Sequence, residues 1–426
     1  MTATLAEGLK PSLAKWETLH KHYDPLLGLV KELIGLIPNC DPILEIWEPG
    51  FRTYNLLVPN MFNLPNTLFG DKDFKASVGL AMYASSKEAC AYCTAHACSF
   101  ALRRGASTDA ITGLRTPKEQ AVVALAEGLA QIPARLSKED IKTVREYFTE
   151  EQTEWLVYAI SMMGFLNKFM NATGVELEQH AINDVAQLLS KTGWQPGIHA
   201  PAGYNVTKVT IPDKDNLWTY LRVLRHAPGA VMWERKWIGG VPGEYAAAGK
   251  YLSTHTGYSF PILKQVKQQR VVRVLSAVLR DNLSNAMSET GLKVKMLAGY
   301  VFAITLCNET LKSEIKNLSA VLVTGLPDSI FDDLEEIAGV AIPGNGTQCR
   351  EMIASFQQRL GLTQTESATL LIALAAAQNP AQFNSAIIES GLNSVKPEGV
   401  VEIIVWLSVL QLLHRMSSYY TLAAAA

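Results

Sequence analysis

Apolar residues recur at helical spacing along most of this chain, and no run of alternating apolar and polar residues predicts a strand. The clearest helical segments are 118–130, 137–147, 150–172 and 175–192. Ser137 and Thr149 are each followed by acidic or Gln residues in the pattern of a capped helix start. Gly105 and Gly174 stand where helices are expected to end. The pattern predicts an all-α fold.

The second half of the chain repeats the first at a nearly constant spacing. Lys75 and Gly105 match Lys295 and Gly325 at an offset of 220, and after an insertion of 27 residues Pro133 matches Pro380 at an offset of 247. We interpret this register as a tandem duplication, although two amphipathic helical stretches can also be slid into partial agreement. The predicted organisation is two helical domains in tandem, residues 1–192 and 259–426, joined by a connector at 193–258.

The predicted connector is less regular and rich in Pro and Gly, yet it holds four of the eight tryptophans of the chain (Trp194, Trp218, Trp233 and Trp237). A flexible linker would be polar, so these aromatic residues indicate an ordered segment. It is either a flap across a pocket or a connector packed for stability alone.

Composition excludes several classes of protein. A 426-residue chain with 48% apolar and 18% charged residues is typical of a well-packed globular protein. The net charge of −2 gives no electrostatic case for binding nucleic acid. No apolar run reaches the length of a membrane span, and the first residues lack the order of a signal peptide. We therefore expect a cytoplasmic protein whose six cysteines stay reduced unless they are catalytic or bind metal.

The most informative motif is Cys90-x-x-Cys93-x-x-His96. On a helix, residues three apart differ by about 60° and are neighbours, so one helical segment would bring both thiols and the imidazole together. Reversible thiol chemistry needs this grouping. The alternatives are two inert buried cysteines, or a zinc site that includes Cys98, which lies about 140° from Cys93 and fits a tetrahedral site poorly.

The remaining cysteines and histidines form no constellation of their own. Cys98 and Cys307 are expected in the core. Four histidines outside the motif are expected at the surface or in loops: His180, His199, His226 and His255.

With these residues in view, the chain resembles the alkylhydroperoxidase D and carboxymuconolactone decarboxylase superfamily. The helix 84–96 is similar to that family's Cys-x-Tyr-Cys helix with its following His. Segment 119–129 is similar to the helix that follows the active site, and segment 149–169 to the closing helix with its Phe-x-Asn-Arg/Lys pattern. The second half, at 259–421, is a more degenerate match.

The resemblance implies a division of roles in the motif. Cys93 would attack a peroxide as thiolate, Cys90 would resolve the sulfenic acid to a disulfide, and His96 would relay a proton. The family's relay glutamate would fall on Val78, which cannot ionise, so Glu127 on the next predicted helix is the substitute candidate.

In the second copy the offset of 220 places Thr310, Ser313 and Lys316 opposite the motif. That copy has neither thiols nor imidazole, so we expect chemistry in the first copy alone.

The function that follows is a thiol-dependent peroxidase or dithiol oxidoreductase, with an apolar pocket beside the motif for an organic hydroperoxide. It would need no bound cofactor or metal, only an external reductant carrying a dithiol or lipoyl group. A homo-oligomer is expected, with no nucleic acid or membrane span. Two alternatives stay open: a non-catalytic scaffold on the same fold, and a carboxymuconolactone-decarboxylase-like enzyme.

Overall fold

The structure is a computed structural model that describes residues 4–206 and 208–424. Within these ranges the regular secondary structure consists of α-helices and short 3-10 turns, without strands. The prediction of an all-α fold is therefore confirmed.

The helices follow one another with short connections. Those of the first predicted domain are α1 (Leu5–Leu9), α2 (Trp16–Ile34), α3 (Asp41–Glu45), α4 (Glu48–Met61), α5 (Asn66–Phe69), α6 (Lys72–Ser86), α7 (Ala91–Arg103), α8 (Thr108–Thr112), α9 (Pro117–Ala130), α10 (Lys138–Tyr147), α11 (Glu150–Thr173) and α12 (Gln179–Leu189). The later helices are α13 (Leu217–Ile238), α14 (Tyr245–Thr256), α15 (Gln269–Asn282), α16 (Leu292–Thr305), α17 (Glu309–Leu322), α18 (Ser329–Ala338), α19 (Gly346–Leu360), α20 (Gln364–Ala377), α21 (Ser385–Leu392) and α22 (Pro397–Ala423).

The predicted helix starts and ends are mostly correct. Ser137 and Thr149 are N-caps with reciprocal capping boxes, because each hydroxyl accepts a backbone N–H while the residue three positions on returns a bond to the cap. Gly174 ends α11 in the left-handed conformation, at φ 65°. The helix predicted at 175–192 begins only at Gln179, since 175–178 is extended chain leading away from α11.

Helices α11 and α22 form the centre of the molecule and pack along each other. Both are buried on nearly every face, as expected of helices enclosed by others. Polar contacts also join them: the hydroxyls of Tyr158 and Tyr420 lie 2.8 Å apart, and the Arg415 guanidinium donates to the Ile160 carbonyl at 2.7 Å. The two predicted domains therefore share one core.

Helix bounds in the two halves agree with the register read from the sequence. α9 and α20 begin and end 247 residues apart, and α6 and α16 begin 220 residues apart. The additional helix α19 lies within the 27-residue insertion. A tandem duplication predicts such agreement, and the duplication itself stays a prediction.

The connector is more regular than the sequence indicated. It contains the 22-residue helix α13, with Pro228 in its interior, and the 12-residue helix α14. Asn216 caps α13 by accepting the N–H groups of Trp218 and Thr219. α13 packs closely on α2. A Cβ added at Gly229 would lie only 2.5 Å from the Pro25 side chain. Tertiary packing thus outweighs the helix-breaking residues.

One long helix in the described ranges is apolar enough to cross a membrane by length and composition alone. This is α22, and its most apolar window is entirely buried inside the protein. α19 and α20 meet the same criterion only when taken together, and they are bent by 114°.

Candidate functional site

The two motif thiols sit at the start of a helix rather than inside one. α6 ends at Ser86, a turn covers 87–89, and Cys90 is the N-cap of α7 in extended conformation. Its sulfur accepts the backbone N–H of Cys93 at 3.3 Å. The prediction that one helical segment carries Cys90, Cys93 and His96 is therefore wrong for Cys90, because the helix begins one residue later. The cap still brings the two thiols together.

His199 is the imidazole that lies against Cys90. Its Nε2 is 3.9 Å from the Cys90 sulfur, and its Nδ1 is 2.7 Å from the Val175 carbonyl oxygen. His199 lies on a 3-10 turn after α12 and is buried. It lies between helices, as expected of a loop residue, but it is neither exposed nor without a partner, because this turn packs onto the start of α7.

The surroundings of the thiols pull their pKa values in opposite directions. Burial alone would raise the pKa of Cys90, but hydrogen bonds from the Cys93 thiol and from His199, together with the charge of His199, lower it well below the ordinary thiol value. Burial and the adjacent Cys90 raise the pKa of Cys93. Burial would lower the pKa of His199, but Cys90 raises it. The arrangement favours a Cys90 thiolate paired with protonated His199, with Cys93 as thiol donor.

His96 has a different partner from the one the resemblance implied. Its Nε2 is 2.9 Å from a carboxylate oxygen of Glu178. The same carboxylate accepts the Tyr92 hydroxyl at 2.7 Å and the Asn39 backbone N–H at 2.5 Å. Burial would raise the pKa of Glu178, but the charge of His96 and these three hydrogen bonds lower it. His96 therefore belongs to a carboxylate network beside the thiols.

Glu127 lies apart from both thiols. It lines a polar surface cavity of about 540 Å³ together with Lys87, Glu88 and Arg135. None of the contacts of the described residues joins Glu127 to Cys90, Cys93 or His96. The role of Glu127 as the relay acid stays a prediction that no contact of this residue supports.

Cys93 faces an apolar cavity of about 80 Å³ that Cys90 does not line. Tyr92 and His96 also line it, and three methionines contribute flexible walls (Met82, Met163 and Met170). The apolar pocket expected beside the motif is thus present, and Cys93 is the motif thiol that faces it.

The last helix contributes a charge to the site. Arg415 of α22 is fully buried, and besides Ile160 it donates to the Ser85 carbonyl oxygen at 3.4 Å. Its charge lowers the pKa of Cys93, although burial and Cys90 outweigh this effect. The site therefore draws on residues from all three predicted segments of the chain.

His199, Glu178 and Arg415 had no local signal in the sequence, because each reaches the thiols from a distant segment. All six cysteines are free thiols, so the structure describes the reduced pair. Cys98 is buried as expected, but Cys307 is exposed rather than buried, since it lies in the turn between α16 and α17. Within 4–206 and 208–424, no group of three or more His, Cys, Asp or Glu side chains is arranged to hold a metal.

Comparison of the chain with protein-family models, with curated proteins and with solved structures gives no match. The resemblance to the alkylhydroperoxidase D and carboxymuconolactone decarboxylase superfamily therefore rests on the motif residues alone.

Proposed function

We propose that the protein is a thiol-dependent peroxidase, or a closely related dithiol oxidoreductase, that uses Cys90 and Cys93. The observation that carries the proposal is the asymmetric cysteine pair: buried His199 lies 3.9 Å from the Cys90 sulfur and lowers its pKa, and Cys93 faces an apolar cavity. Inert core cysteines would lack a cationic partner and would both have raised pKa values.

The proposed reaction begins with a proton transfer from the Cys93 thiol to the adjacent Cys90 thiolate. The Cys93 thiolate attacks the terminal peroxide oxygen, so that an S–O bond forms as the O–O bond breaks. The leaving alkoxide takes the proton from Cys90 and departs as an alcohol. The Cys90 thiolate then attacks the Cys93 sulfenic acid, the disulfide forms, and His199 protonates the departing hydroxide to water. An external dithiol or lipoyl group returns both thiols to the reduced state.

In this proposal His96 positions the site rather than moving a proton at sulfur, because Glu178 holds its ring. Glu178 also ties Tyr92 on the first turn of α7 to the Asn39 loop. Assembly as a homo-oligomer and a cytoplasmic location stay predictions.

The test is reduction of tert-butyl hydroperoxide by the purified protein with dithiothreitol or dihydrolipoamide. We expect turnover in the wild type, and its loss in both Cys93→Ser and Cys90→Ser. Cys98→Ala is the matched control, since Cys98 lies buried on the same helix away from the cavity, and it should retain turnover. Activity that survives in Cys93→Ser would contradict the assignment of Cys93 as nucleophile.

The competing function is binding without catalysis, and one observation favours it: Cys90 and Cys93 are each only 3% exposed. An absence of turnover in the wild type with both reductants, together with no disulfide after peroxide treatment, would establish it over the peroxidase.

A further inference from the structure

A second and larger apolar cavity adjoins the one that Cys93 faces. It has a volume of about 280 Å³ and lies between α2, α4 and α13. Four residues line both cavities: Val30, Leu33, Val58 and Leu64. The two cavities are therefore neighbours, with these four side chains between them.

The larger cavity has exposed side chains in its lining. Phe69, Leu224 and Val231 line it and are exposed, so they mark a mouth beside α13. By contrast, the described residues that line the smaller cavity are all buried or half-buried. A ligand that entered beside α13 would pass the four shared side chains to reach Cys93.

Size and chemistry limit what the combined space can hold. An apolar cavity of about 150 Å³ accommodates a molecule such as benzene, so the smaller cavity alone has room only for the reacting end of a substrate. The lining of the larger cavity is hydrocarbon except for Asn55, Glu234 and Arg270. Arg270 donates to the Asn60 side chain and to the Leu64 and Pro59 carbonyl oxygens, and Glu234 accepts from Asn60. Asn55 donates to the Phe51 carbonyl oxygen, so all three already have protein partners, and Glu234 and Arg270 carry opposite charges.

We propose that the two cavities form one binding site for an unbranched long-chain acyl compound, with its hydrocarbon chain in the larger cavity and its oxidised carbon beside Cys93. This inference rests on the proposed function and narrows the substrate class to long-chain acyl hydroperoxides. Two adjoining apolar cavities that share four side chains suit a flexible hydrocarbon chain, because a chain can bend past those side chains and a rigid ring system cannot.

The experiment measures binding separately from turnover. cis-Parinaric acid, a long-chain fatty acid that fluoresces in apolar sites, is titrated into wild type, Ala227→Phe and Met232→Phe. Ala227 lines the larger cavity on α13, so a phenyl ring there fills it. Met232 lies on the exposed face of the same helix and is the matched control. We expect saturable binding by the wild type and Met232→Phe, and at least tenfold weaker binding by Ala227→Phe, with all three proteins equally folded by circular dichroism.

Competition identifies the source of the chain. Displacement of the fluorescent acid by palmitate indicates a free acid, and displacement by phosphatidylcholine vesicles indicates a chain taken from a bilayer. Displacement by neither, or equal binding to all three proteins, would overturn the proposal.

Turnover then separates the two proposals. Reduction of tert-butyl hydroperoxide without binding of the fatty acid would leave the peroxidase intact and reject the chain site. Specific binding of the fatty acid without turnover would leave the chain site intact and reject the peroxidase. If both proposals are correct, Ala227→Phe raises KM for linoleic acid hydroperoxide at least fivefold, and Met232→Phe leaves that KM at the wild-type value.

Discussion

Cys90 is buried, so protein donors have to take the place of water around its thiolate form. The backbone N–H of Cys93, the Cys93 thiol and the His199 ring provide that solvation. Hydrogen bonds to a charged acceptor contribute about 1.5–3 kcal/mol each, which is enough to offset much of the cost of burial. The chemistry at this residue thus depends on a histidine 109 positions away in the chain.

His199→Phe removes the donor and its charge while keeping an aromatic ring of similar size. We expect the pKa of Cys90 to rise by about one to two pH units, since one unit corresponds to about 1.4 kcal/mol. The sign follows from the lowered pKa: in the wild type the thiolate persists as pH falls below the ordinary thiol range, and in the variant it is lost at higher pH. The measurement is thiolate absorbance near 240 nm against pH, as the difference from Cys90→Ser.

His255→Phe is the control for that titration, because His255 is an exposed histidine on α14 whose ring bonds to the Tyr251 carbonyl oxygen one turn earlier in the same helix. The pH midpoint of Cys90 thiolate formation in His255→Phe should match that of the wild type. An unchanged midpoint in His199→Phe would show that the Cys93 donors alone hold the thiolate.

At the scale of elements, Glu178 at the start of α12 joins three segments of the chain. Its carboxylate accepts from Asn39 in the loop before α3 and from Tyr92 and His96 on α7. Buried donors that lose their acceptor cost about 1–3 kcal/mol each, unless water reaches them. The carboxylate therefore fixes the start of α7, which carries the thiols.

Glu178→Ala should lower the free energy of unfolding by about 2–4 kcal/mol at neutral pH, because Asn39, Tyr92 and His96 lose their shared acceptor. Because folding lowers the pKa of Glu178, its carboxylate stabilises the folded state at pH values above the ordinary carboxyl range. This stabilisation is lost as the pH falls through the folded-state pKa. The difference in free energy of unfolding between wild type and Glu178→Ala should accordingly shrink below about pH 4. Urea unfolding at several pH values measures it.

Glu176→Ala is the matched control two residues earlier in the same extended segment. Its ion pair with Lys10 is solvent-exposed, so the variant should change stability by less than about 0.5 kcal/mol. Equal losses in the two variants would contradict the role assigned to Glu178.

Local chemistry explains which elements the sequence could predict. The capping boxes at Ser137 and Thr149 involve residues three apart, so the pattern alone located those starts. Cys90 caps α7 with a sulfur, which is not among the usual capping groups, and its helix start was missed. Glu178 and His199 were not predictable because their partners lie 82 and 109 residues away.

At the scale of the whole molecule, the two halves act as one unit rather than as separable copies. α11 and α22 pack over their length, and Arg415 of the second half reaches carbonyl groups of the first. The register between the halves is less regular at the site: Cys90 caps α7 and Asn308 caps α17, an offset of 218 rather than 220. In either register the second half has no thiol pair, and its contribution to the site is the Arg415 charge.

The close approach of α11 and α22 predicts the effect of adding one methyl group at Gly164. A Cβ there would lie 2.9 Å from the Arg415 side chain and 3.2 Å from the Gln411 carbonyl oxygen, so the helices would have to move apart. Overpacking of this kind costs about 1–3 kcal/mol. Gly249→Ala on α14 is the matched control, because a Cβ there meets nothing within 4 Å, and alanine should stabilise that helix by up to about 1 kcal/mol. Urea unfolding of both variants measures the two effects, and a Gly164→Ala protein as stable as the wild type would show that the two halves are not held in close contact at this point.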